Sequence, residues 1–64
     1  MSMTKALAKW LKTAPTTSVQ AMREGLARNK ASERNPMLRS SLATRIQMCD
    51  TELAKRTIQE RRSS

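Results

Sequence analysis

Residues 35–62 contain no glycine and no proline after Pro36, and this uninterrupted run constrains the chain more than any other feature. Asn35 suits the N-cap position, and Pro36 suits the first helical position, where its missing N–H has no partner to lose. Leu38, Leu42, Ile46, Cys49 and Leu53 then recur at intervals of four, four, three and four. At about 100° per residue they fall within a sector of about 80°, an amphipathic stripe. The pattern predicts one long helix over residues 36–61.

Two shorter helices are predicted before it. Over residues 3–13, Met3, Leu7, Trp10 and Leu11 share one face and Lys5, Lys9 and Lys12 another, with Ser2 or Thr4 as cap. Pro15 ends this helix, because the residue before a proline resists the helical region. Thr17 and Gln20 have capping-box spacing and open a helix over residues 17–28, with Val19, Met22 and Leu26 on one face. Gly25 weakens its end, and Asn29 is a plausible terminator. Residues 30–34 are polar and read as a connector.

A helix of about 26 residues spans about 39 Å, and a shorter one about 16–18 Å. A lone copy leaves half of the long helix uncovered. Either the helix breaks near Cys49, Asp50 and Thr51, with Asp50 capping a fourth helix, or a second copy covers it. The unbroken helix is preferred. The expectation is a single all-α domain over residues 1–64. In it, two short antiparallel helices pack on one long C-terminal helix, in a homodimeric helical bundle joined through Leu42, Ile46, Cys49 and Leu53. The same four residues would serve a protein partner.

Sixty-four residues bury a modest fraction of their surface, so such a chain wants a staple or a partner. One cysteine forms no internal disulfide, and without histidine a zinc site is not expected. Enzymatic chemistry is also not expected. Histidine and tyrosine are absent, and the five acidic residues lie among arginines on helical surfaces. Cys49 sits on the apolar stripe with no base beside it. A single glycine supports no phosphate-cradling loop, and no cofactor is implied.

The net charge of +8 points to a polyanionic partner, whether nucleic acid, an anionic membrane or an acidic protein. A solvated basic surface is the plain alternative. No run of about 20 apolar residues spans a membrane. Lys5, Lys9 and Lys12 interrupt any signal-peptide core, so the expected location is the cytoplasm, that of a bacterial host if the chain is phage-encoded. Residues 5–12 have the basic, tryptophan-bearing look of an interfacial peptide, but the rest of the chain offers their apolar side chains a better partner. Stacking on RNA needs aromatic platforms, and the only aromatic residue, Trp10, lies on an apolar face.

Residues 17–26, TSVQAMREGL, resemble the first helix of a helix-turn-helix. Ala21, Gly25 and Leu26 match that motif's alanine, its turn glycine four residues on, and the apolar residue after it. Glu24 stands where an apolar residue is usual. The resemblance implies a small DNA-binding transcription regulator whose reading helix is delayed to residues 37–47. Arg39 and Arg45 would reach guanine edges or phosphates, and Ser40, Ser41 and Thr44 phosphates. Arg28, Lys30 and Arg34 complete the expected DNA-binding set. The alternative is an accessory protein that modulates a host protein through its helical apolar face. Small basic helical proteins of phage and other mobile elements have this general look, and Met22, Met37 and Met48 would suit an adaptable contact.

Overall fold

The computed structural model describes residues 3–63; the Ser2 cap and the side chain of Met3 lie outside that description. Three helices account for nearly all of it: α1 (Met3–Thr13), α2 (Thr16–Ser32) and α3 (Pro36–Ser63). The protein is all-helical, with one long C-terminal helix packed with two shorter ones. No strand occurs among the described residues. The body measures 44 × 26 × 15 Å, so α3 sets its length and a single layer of helices its thickness.

The long helix is unbroken through Cys49, Asp50 and Thr51. Its start follows the local chemistry: Asn35 Oδ1 accepts the N–H of Met37 at 3.0 Å, and the Asn35 carbonyl accepts the N–H of Arg39 at 2.9 Å.

The start of α2 differs from the capping-box expectation. The helix begins one residue earlier, with Pro15 at the N-cap and no side-chain cap bond. The Pro15 carbonyl accepts the N–H of Val19 at 3.1 Å, which places Thr17 inside the first turn. The end of α2 also moves, from Asn29 to Ser32. Ala27, Lys30 and Ala31 are good helix formers. The Ser32 hydroxyl bonds back to the carbonyls of Arg28 and Asn29 at 3.3 and 3.2 Å, and the Glu33 N–H donates to the Lys30 carbonyl at 3.3 Å. Residues 33–35 form the turn, where Glu33 Oε1 accepts the N–H groups of Arg34 and Asn35, both at 3.0 Å.

The core is small. Leu11, Ala14, Val19, Leu26 and Cys49 are buried, and Leu7, Trp10, Leu42, Ile46, Met48 and Leu53 pack half-buried against them. Each short helix lies mainly on α3 and scarcely on the other, and α2 makes the larger contact. Leu42, Ile46, Cys49 and Leu53, expected at a dimer or partner interface, pack within this chain, Cys49 buried and the other three half-buried. The chain's own short helices cover that stripe, and Cys49 is 0% exposed. Leu38, the first residue of the stripe, is left 51% exposed at the end of the molecule beside the turn.

Arg56 follows the apolar stripe at the next position on the same face. It is half-buried at the junction of all three helices. Its Nε donates to Glu52 Oε2 at 2.9 Å, Nη1 to Thr16 Oγ1 at 3.1 Å and Nη2 to the Leu11 carbonyl at 2.8 Å. The side chain thus satisfies a carbonyl in the last turn of α1, where the helix has no partner of its own to offer. Residues 57–62, beyond it, are exposed throughout.

Candidate nucleic-acid interface

The last turns of α2, the turn at residues 33–35 and the first turns of α3 meet at one end of the molecule. Residues 25–49 carry five basic side chains, Arg28, Lys30, Arg34, Arg39 and Arg45, against Glu33 alone. One carboxylate oxygen of Glu33 is already engaged by two backbone amides of the turn. Two ion pairs lie away from this end: Glu52–Arg56 at the three-helix junction, and Arg23–Asp50 between α2 and the middle of α3. The hydrogen bond and charge of Asp50 hold Arg23 still more firmly protonated than usual.

Arg28, Arg34, Arg39, Ser40, Ser41 and Thr44 are exposed, whereas Lys30 and Arg45 are half-buried. Six residues of helix turn the chain by about 600°, which sets Arg39 and Arg45 about 120° apart around α3. They flank the packed side of the helix from opposite margins and do not enter one groove side by side. Arg45 lines a hollow of about 300 Å³ with Asn29, Ser32, Leu38 and Ser41, between the end of α2 and α3. The Thr44 hydroxyl donates to the Ser40 carbonyl at 3.2 Å, so its proton is committed within the helix and it offers a phosphate no donor in this rotamer. Ser40 and Ser41 remain on the surface.

The turn implied by the helix-turn-helix resemblance is not at Gly25. That residue lies in the interior of α2, and no glycine among the described residues has positive φ. A Cβ placed on Gly25 would meet nothing within 4 Å. The break between helices comes eight residues later, where Pro36 removes an N–H and Asn35 resists helical geometry.

Elsewhere, a groove of about 450 Å³ runs between α1 and α3, lined by Ala8, Leu11, Met48, Gln47, Thr51 and the stems of Lys12 and Lys55. Cys49 is buried against the core, and that burial pushes its thiol above the ordinary value, with the Asp50 charge adding to the effect and Arg23 opposing it. No cluster of metal-ligating side chains occurs among the described residues, and no described helix is long and apolar enough to cross a membrane.

No protein-family model, curated protein or solved structure matches the chain.

Proposed function

We propose that this chain is a small, non-enzymatic DNA-binding regulator that grips a duplex with the end formed by α2, the turn and α3. The supporting observation is the concentration of Arg28, Lys30, Arg34, Arg39 and Arg45 there, with Glu33 as the lone acid and one of its carboxylate oxygens engaged by the turn. Exposed guanidinium groups fork onto phosphate oxygens, and the hydroxyls of Ser40 and Ser41 add neutral donors. The pair of helices that contacts DNA in this reading is α2 and α3, joined at residues 33–35.

The experiment is equilibrium binding of the whole chain to duplex DNA across a salt series. Each phosphate contact contributes about 0.9 to the slope of log K against log salt. Arg34→Ala with Arg39→Ala should lower affinity and flatten the slope by about 2, while Lys5→Ala with Lys9→Ala leaves a smaller mark. Equal losses in both pairs would mean general charge attraction and would remove the site.

The groove between α1 and α3 favours a second reading, an accessory protein that docks on a host protein there. Met48→Glu should then abolish capture of a discrete, nuclease-resistant partner from lysate while helicity survives.

A further inference from the structure

We propose that Met37, with Leu38 as its shoulder, is an apolar wedge that enters a base-pair step of duplex DNA from the minor groove and kinks it. The inference rests on the duplex-binding reading above and assigns a part to residues that reading leaves unused.

Met37 is 81% exposed, the most exposed large apolar side chain described, and Leu38 is 51% exposed. Both stand at the tip of α3, directly between Arg34 and Arg39 in the chain. The tip is held rigidly. Asn35 caps the Met37 N–H, Pro36 fixes its own φ, and Glu33 ties down the amides of Arg34 and Asn35. An apolar point flanked in the chain by Arg34 and Arg39 matches what a kinked duplex asks of a protein. One or two side chains part the bases, and cations on either side hold the flanking phosphates. Methionine and leucine are among the side chains that serve as such wedges, and methionine's flexible thioether adapts to the opened step. An anionic bilayer is the poorer match, since surface anchoring draws on a broad apolar helix face and this tip offers two side chains.

The test uses the full chain and a duplex of about 25 base pairs, end-labelled for energy transfer and carrying 2-aminopurine at successive steps. Wild-type protein should shorten the end-to-end distance and raise 2-aminopurine fluorescence at one or two steps. Met37→Ala with Leu38→Ala should abolish both signals and keep the salt slope, with affinity several-fold weaker. Circular dichroism checks that the exposed double variant remains folded. Wild-type binding that leaves the duplex straight and stacked overturns the wedge and spares the DNA-binding reading. No wild-type binding at physiological salt overturns both. Binding to phosphatidylserine vesicles that depends on Met37 and Leu38, with no duplex distortion, overturns the wedge in favour of a membrane tip.

Discussion

Arg56 Nη2 lies 2.8 Å from the backbone oxygen of Leu11, joining residues 45 apart in the chain. The same guanidinium group reaches Thr16 and Glu52, so one side chain fastens the end of α1 and the start of α2 to α3. Hydrogen bonds to a charged donor contribute about 1.5–3 kcal/mol, and a half-buried carbonyl left without a partner adds to the loss. Arg56→Ala should lower stability by about 2–3 kcal/mol in urea unfolding followed by circular dichroism. Arg56→Lys should recover less than half of that, because an ammonium group lacks the planar fork. A loss under about 0.5 kcal/mol in Arg56→Ala would show that the junction is held by packing alone.

Gly25→Ala should stabilise the protein. The position is helical, its φ is ordinary, and the added Cβ has open space around it. The expected gain is about 0.5–1 kcal/mol from the smaller entropy of the unfolded chain and better helix propensity. The unfolding midpoint would rise by several degrees, at about 4–8 °C per kcal/mol for a domain near this size. Destabilisation would restore the inter-helix turn at this glycine.

The two helix starts should respond oppositely to loss of a side-chain oxygen. Asn35→Ala removes the acceptor for the Met37 N–H and should cost about 1 kcal/mol. Thr17→Ala should stay within about 0.5 kcal/mol of wild type, since α2 has no side-chain cap. Chemical denaturation of the two variants side by side decides the matter; a larger cost at Thr17 would reinstate the capping box.

Cys49 gives the fold a dependence on alkaline pH. Burial raises its thiol above the ordinary 9.0, so the folded chain keeps a proton that the unfolded chain releases. Its contribution is therefore fully present below about pH 9 and declines as pH rises through that value towards the folded one. The unfolding free energy of wild type should fall relative to Cys49→Ala as pH rises above about 9, the lysine background being the same in both. Parallel curves would mean that the thiol titrates alike in both states. Iodoacetamide should react with Cys49 only at the rate of opening.

The long helix was legible because its cause is local and repeated: Asn35 caps, Pro36 starts, and Leu42, Ile46, Cys49 and Leu53 keep one face. What covers that face was not legible, since an apolar stripe looks the same whether a second copy or α1 and α2 lie on it. The role of Arg56 was not legible for a related reason. It follows Cys49 and Leu53 at seven and three residues, and on charge alone it marked the end of the core. Only the distant Leu11 carbonyl and Thr16 hydroxyl make an arginine useful there. The cationic end was visible as a basic stretch, but the 120° between Arg39 and Arg45, and the firm presentation of Met37, depend on where the turn falls. The turn moved because Ser32 and Glu33 close the end of α2 through bonds that no periodicity displays.

Ribosomal synthesis runs one way, and the Arg56 contacts convert that direction into an order of events. Leu11 and Thr16 are polymerised 45 and 40 residues before Arg56. Until residues 36–55 are made, α1 and α2 have no long helix to lie on, and short helices are marginal alone in water. Each short helix contacts α3 far more than its sibling, so the early part of the nascent chain has little to fold against. A ribosome stalled before residue 56 holds a chain whose first two helices still lack their clasp.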